Sequence, residues 1–338
     1  MTRDDARLPL SVLDLVPVGT GSSSVQALRD SVELARLADR LGFVRYWFAE
    51  HHGMPSIASS APEILIAHIA AATERIRVGS GGIMMQNHVP LKLAEAFHTL
   101  EALHPGRIDL GIGRAPGTDP ATSRALRPFS PTQFREQVDE LFALSRGAFP
   151  DDHPFRHVRV IPAGVKLPPV WLLGSSGASA QLAGSLGVGY SFASHFSHAP
   201  AAPALAAYRE SFRASERFPE PHAVLAVSAI SAETEEAADY LASTGDLVWV
   251  RLRRGEFAPL PTPEEARAYP YTPAEREVVA GYRALLHVGT PDAVCASIER
   301  AAAEAGADEV MVVTTTHDPA ARRQSYRLLA EAFGMGRE

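Results

Sequence analysis

Two hydrophobic rhythms alternate along the whole chain. Short apolar runs at 10–18, 46–50, 77–85, 107–114, 170–174, 190–193, 223–231 and 309–315 predict strands. Between them the apolar residues return at every third and fourth position, as helices require. In 25–41, Leu34, Leu37, Ala38 and Leu41 share one face and Gly42 closes the helix. In 91–104, Leu93, Ala96, Phe97 and Leu100 do the same until Pro105-Gly106. Further helices are expected at 60–73, 132–145, 176–186, 200–215, 291–305 and 319–333, and one beginning at 233–243. Ser60 is expected to cap its helix, with Pro62 in the first turn and Glu63 completing a capping box.

Eight strands separated by helices imply parallel pairing and an α/β fold. A (β/α)8 TIM barrel closes that count without edges, as one domain over 1–338, and a doubly wound sheet is the alternative. Two stretches break the rhythm: 146–169 after strand four and 245–288 after strand seven. Loops after barrel strands line the active face. The second insertion is therefore the candidate for a mobile lid, the alternative being a surface excursion in both cases.

A length of 338 residues is ordinary for one such barrel, and 46% hydrophobic residues provide ample core. The net charge of −7 argues against nucleic acid or an anionic membrane as the main partner. Cys295 is the one cysteine, so no internal disulfide and no cysteine metal site are possible. No run approaches a membrane span and no signal peptide opens the sequence, so a cytoplasmic location is expected.

The candidate chemistry gathers at strand ends. Glu50-His51-His52 closes the second strand. Adjacent strand residues point to opposite faces, so two neighbouring histidines rarely hold one ion, and no metal site is expected. His51 reads either as a titratable group at the catalytic end or as a structural histidine on the rim. Ser80, Gly81 and Gly82 lie in a strand almost without side chains, 78–85. Such a stretch admits a flat ligand, a distorted backbone or a large neighbouring side chain. Arg114 ends the fourth strand, and Gly174, Ser175, Ser176 and Ser179 lead from the fifth strand into a helix. Small residues at a helix start expose N–H groups that suit phosphate, and an arginine from the preceding strand end strengthens the reading. No GxGxxG motif follows strand one and no P-loop is present. Met54, Met84 and Met85 line an apolar pocket or fill core. Ser59 and Ser80 have no Asp–His pattern, which argues against a hydrolytic triad.

Four stretches together resemble the bacterial luciferase-like monooxygenases: Tyr46-Trp-Phe-Ala-Glu-His-His52, Ile57-Ala-Ser-Ser-Ala-Pro-Glu63, Val78-Gly-Ser-Gly-Gly82 and 105–117, which reads Pro-Gly-Arg-Ile-Asp-Leu-Gly-Ile-Gly-Arg-Ala-Pro-Gly. The resemblance is specific over 8–190 and looser beyond, and it is nearest to the single-chain subgroup. It implies a (β/α)8 barrel that binds reduced FMN, or the deazaflavin F420 in some branches, at the C-terminal ends of the strands. It further implies a non-prolyl cis peptide at Gly81-Gly82, phosphate contacts from Arg114, Ser175, Ser176 and Ser179, and a catalytic role for His51. The expected activity is oxygenation of a small organic substrate with O2, with reduced FMN supplied by a separate flavin reductase, in a homodimer. F420-dependent hydride transfer and non-catalytic flavin binding are the competing readings. Two departures stand out. Gly113 replaces the reactive cysteine of true luciferases, and Gln86-Asn-His88 replaces the usual Pro-x-His, which points away from light emission and a long-chain aldehyde.

Overall fold

Strands covered on both faces have no reason to alternate polar and apolar residues, and the strands of this protein do not. In the computed structural model, which describes residues 7–115, 117–126 and 133–336, β1 (Leu10–Asp14) and β2 (Arg45–Phe48) are buried at every position. So are β5 (Ile108–Gly113), β7 (Gly189–Ala193), β8 (Ala223–Ser231) and β10 (Glu309–Val313). β3 (Arg77–Ser80), β4 (Ile83–Met84), β6 (Val170–Gly174) and β9 (Leu286–Gly289) complete the set among the described residues.

The order is β10-β1-β2-β3-β5-β6-β7-β8, and β8 pairs back to β10, which closes eight parallel strands into a (β/α)8 barrel. The expected third strand is thus two pieces, β3 and β4, with a cis peptide at Gly81-Gly82 between them. β9 lies outside the ring, on the overhang of β8. No helix among the described residues is long and apolar enough to cross a membrane.

Two apolar layers follow from strand alternation. Outward residues such as Tyr46, Phe48, Ile112 and Phe192 join the helices in the main core. Inward residues fill the lumen: Leu13, Trp47, Ala49, Trp171, Val224, Ala226, Met311 and Val313. Trp47 and Trp171 meet edge-on at 5.4 Å. This packing settles the glycine-rich strand. A Cβ on Gly79 would lie 2.8 Å from Trp47 Nε1, and one on Gly81 would lie 2.6 Å from Leu13. The space their side chains would take is filled by Trp47, Leu13 and the Asp109 backbone, and the cis peptide supplies the distorted backbone. Met85 is likewise fully buried in the outer core.

Three other expectations need correcting. β1 stops at Asp14 and not at residue 18, and Val16 takes φ 55° just beyond it. Ser60 does not cap its helix. The residue before a proline is kept out of helical backbone, so Ala61 is the boundary and the helix begins at Pro62, with no side-chain cap. The 245–288 insertion is not irregular. The helix Glu235–Arg253 runs through Gly245, where the absent side chain makes room for Tyr282. Helices Pro263–Ala268 and Pro273–Arg283 follow, each with a complete capping box, at Thr262/Glu265 and Thr272/Glu275. Leu260 then ties the insertion to the loop after β1 through Leu260 N–H to Val18 O (2.9 Å) and Thr20 N–H to Leu260 O (2.8 Å). The helix expected from residue 132 is observed as Phe134–Arg146; positions 127–132 lie outside the described residues.

Charged residues plug the N-terminal end of the lumen. Arg45 donates to Asp109 (2.9 Å) and to Glu309 (3.0 Å), and Arg77 donates to Asp109 (2.6 Å). The Arg45 guanidinium also lies over Trp171 at 4.6 Å. Burial alone would raise the Asp109 carboxyl, but the two guanidiniums outweigh it and hold it below the ordinary value of 3.8. A lowered carboxylate contributes stability that is complete above its unfolded value and is lost as pH falls through the folded one. Asp109→Asn is therefore expected to cost about 3 kcal/mol or more, the scale of a broken buried ion pair. In urea titrations the gap to the parent protein should be full at pH 7 and narrow below about pH 4. Equal midpoints at pH 7 would show that the cluster does not brace the barrel.

Candidate active site at the barrel mouth

Side-chain direction at the end of β2 is set by one buried carboxylate. Glu50 is fully buried. Its Oε1 accepts from His52 Nε2 (2.9 Å) and Asn87 Nδ2 (3.0 Å), and its Oε2 accepts from the Met84 N–H (2.8 Å) and His88 Nε2 (2.9 Å). Burial would raise this carboxyl, but the hydrogen bonds from His52, His88 and Asn87 reverse the effect and hold it at about 2. Glu50 is thus ionised at any working pH. It also lifts His88, whose burial would otherwise favour the neutral ring.

His52 shares the Glu50 side of the chain, two residues on, and its ring is spent on that carboxylate. Its backbone is fixed as well, by His52 N–H to Gly117 O (3.2 Å) and by Thr118 Oγ1 donating to His52 O (2.5 Å). His51 therefore takes the opposite side, in register with the lumen residues Trp47 and Ala49. Its Nδ1 is buried with no hydrogen-bond partner. Burial lowers its pKa to about 4, against the pull of Glu50, so the ring is neutral at pH 7. The neutral ring thus presents an unbonded Nδ1 at the C-terminal end of the barrel.

The other candidates lie on β3, β5 and β6. Ser80 is fully buried, and its hydroxyl bridges the next strand, donating to Gly111 O (2.8 Å) and accepting from Gly111 N–H (3.0 Å). Those two hydrogen bonds commit the Ser80 hydroxyl to bracing the barrel. Gly81 and Gly82 form the cis peptide, and a Cβ on Gly82 would meet the Gly111 backbone at 2.9 Å.

Arg114 follows β5 and is exposed. β5 pairs β6 with Leu110 opposite Val170 and Ile112 opposite Leu172. Continued by two residues, that register sets Arg114 beside Gly174. From there Ser175 leads to Ser176, the N-cap of the helix Gly177–Leu186. The Ser176 side chain accepts from Ser179 N–H (3.5 Å), and Ser179 Oγ donates to Ser176 O (2.8 Å). Gly174 permits this fold-back, since a Cβ there would sit 2.1 Å from Ser179 Oγ. The Ser179 hydroxyl is thereby a structural link. Gly177 and Ala178, both exposed, begin the helix with N–H groups that intrahelical bonds cannot satisfy. A helix start of this kind can hold a phosphate, and the β5–β6 register brings the end of β5 at Arg114 next to it.

Two residues of this region were not anticipated. Tyr190 on β7 places its hydroxyl 2.9 Å from Ser179 Oγ and 3.2 Å from Ser176 O, which fixes the helix start from below. His195, just past β7, has a buried Nδ1 with no partner, as His51 does. A signal for it existed in the sequence: Phe192-Ala-Ser-His195 repeats the pattern of Phe48-Ala-Glu-His51.

Comparisons with known proteins agree with this architecture. The family model described as luciferase-like monooxygenase matches residues 8–309. A luciferase-like monooxygenase of Escherichia coli (strain K12) is 41% identical over 327 residues, 96% of each chain. The N-acetyl-S-alkylcysteine monooxygenase of Bacillus subtilis (strain 168) is 33% identical over 332 residues, 96% of this chain and 97% of that one. The crystal structure of apo-MsnO8 superposes with a TM-score of 0.87 at 39% identity, covering 97% of this chain and 99% of that one. Two structures at lower identity share the fold. One is the oxygenating constituent of 3,6-diketocamphane monooxygenase from Pseudomonas putida in complex with FMN, with a TM-score of 0.71, 22% identity and coverage of 96% and 97%. The other is an F420-dependent secondary alcohol dehydrogenase, with a TM-score of 0.71, 15% identity and coverage of 97% and 99%. By the reach of the family model and the identity of its full-length relatives, the chain belongs to the luciferase-like monooxygenase family.

Proposed function

We propose that this protein is an FMN-dependent, O2-using monooxygenase for a small organic substrate, supplied with reduced FMN by a separate flavin reductase. The observation that carries the reading is the neutral His51 ring, unpartnered at Nδ1, at the same barrel end as the Arg114–Ser176 cradle. The cradle suits one terminal phosphate, and its donors fit FMN: the Arg114 guanidinium, the Ser175 hydroxyl and the open N–H groups at Gly177 and Ala178. No second nucleotide motif follows, so FMN is expected to bind better than FAD. When bound, reduced FMN supplies the electrons that activate O2 for transfer of one oxygen atom to substrate. The protein's part is to hold the phosphate, to exclude water with the packed lumen below, and to move one proton at His51 Nδ1. The F420 reading, hydride transfer without O2, is separated from this one by oxygen uptake with NAD(P)H, FMN and a reductase.

Arg114→Ala is expected to weaken FMN binding by about 1.5–3 kcal/mol, the scale of a charge-assisted hydrogen bond. Fluorescence titration measures it, and unchanged affinity would remove Arg114 from the cradle.

His51→Ala is expected to keep the melting temperature and most of the FMN affinity while losing product. Oxygen should then be consumed with release of hydrogen peroxide, product per O2 should fall, and the rate of product formation should drop by about 10²–10⁴, the scale of general acid–base catalysis. Coupling equal to the parent protein would place the proton role elsewhere.

We further propose a homodimer. Ile64 on the helix Pro62–Ala72, Val89, and Leu103 on the helix Pro90–Leu103 expose large apolar side chains, at 67%, 57% and 65%. Apolar surface of this kind is characteristic of interfaces. Light scattering should return twice the chain mass of 36.3 kDa; a monomer mass would overturn the assignment.

A further inference from the structure

The proposed function uses one histidine, yet the mouth holds two whose Nδ1 is buried without a partner. β2 and β7 stand four places apart in the closed ring of eight strands, so they face each other across the lumen. Phe48 and Phe192 both belong to the outer core. Alternation then turns Ala49 and Ala193 inward, with His51 continuing that register; His195 follows β7 in the turn 194–196, close enough for the two rings to feel each other's charge. Ala49, Ala193 and Ala226 are all buried and small, which leaves space above them for two rings. Both Nδ1 atoms are buried without a partner.

We propose that His51 and His195 act as one unit: two neutral imidazoles, held from opposite walls of the barrel mouth, which share a single proton and take one polar atom of the bound small molecule between them. The ligand's identity rests on the monooxygenase reading; the pairing does not. When a bound molecule gives up a proton, its X–H bond breaks, an N–H bond forms on one ring and the electron pair stays on the ligand. The pair then carries one positive charge, and that charge resists a second.

The surroundings support this. Burial holds the His195 ring at about 4, against a hydrogen bond to the Ala226 backbone, and a charge on His51 pushes it further down. Around His51 the ionisable groups are Glu50 and His52, with His88 beyond Glu50. Glu50 is already bonded through both oxygens, so it tempers the proton on His51 without taking it. Beside His195 the ring neighbour is Phe196, edge-on at 4.6 Å, which carries no charge.

The test titrates the ligand-free protein by side-chain NMR with 15N-labelled histidine, in the parent chain, His51→Gln and His195→Gln, each checked by a melting curve. Glutamine keeps an amide that can still bond the Ala226 backbone; His195→Asn serves if glutamine does not fold. Both rings should be neutral at pH 7, and removing either should raise the midpoint of the other by about half a pH unit or more, as coupled sites require. Midpoints that ignore each other would overturn the pairing, whatever the flavin assays show. A second readout is product per O2 in the two single variants and the double variant. A shared role predicts that the double variant loses no more than the worse single one. Losses that multiply, or parent-like coupling in His195→Gln, would overturn the shared role. A chain that binds no FMN yet shows coupled midpoints would sink the cofactor reading alone.

Discussion

The geometry of the mouth depends on Glu50. A carboxylate with no exposure is tolerable only when its lone pairs are filled, and here four donors fill them: one backbone N–H, one amide and two imidazoles. Three of those donors lie just past Gly81-Gly82, so the carboxylate fastens the end of β2 to the segment that resumes after β3. Because successive side chains point to opposite faces, anchoring Glu50 and His52 on one side leaves His51 only the other. The neutral ring over the lumen thus follows from an ionised group behind it.

The two ends of the barrel divide their labour by charge. At the N-terminal end, Arg45, Arg77, Asp109 and Glu309 neutralise one another inside the wall. Towards the C-terminal end, the lumen carries apolar side chains and two imidazoles that burial keeps uncharged. Barrel enzymes place chemistry at the second end and stability at the first. A mouth of this kind suits proton traffic. A permanent charge there would need a permanent counter-charge, whereas a neutral ring can take a proton for the length of one step and return it.

Most of the fold was legible because most helices and strands showed a rhythm; the helix Glu235–Arg253 did so only in its first half. The eight barrel strands, their order and the two insertions follow from that rhythm. What escaped was local. Helices of six and eleven residues at Pro263–Ala268 and Pro273–Arg283 bury too few side chains to display a period, although both carry capping boxes that spell their starts. Ser60 looked like a cap because Ser and Glu stood three apart, but Pro62 moved the boundary to Ala61. The site was legible in part. His51 and the Arg114–Ser176 pair were visible from strand ends and small residues. The fate of Ser80 and Ser179 was not, because a hydroxyl's partner depends on which strand lies beside it, and only the folded register supplies Gly111 and Tyr190.

The glycines of β3 and β5 teach a related lesson. A stretch without side chains invites the idea of a flat ligand, since a ligand and a neighbouring ring demand the same space. Here the ring is Trp47, and it reaches from β2 to lie against Gly79 and Gly81 while its indole N–H donates to Asp109 (3.2 Å). One side chain therefore links the apolar lumen to the charged plug beneath it. Small residues sit one layer higher, at Ala49, Ala193 and Ala226, beside Met311 on β10. Room for chemistry in this barrel begins where the tryptophans end, and the histidines that follow each Phe-Ala pair stand at that level.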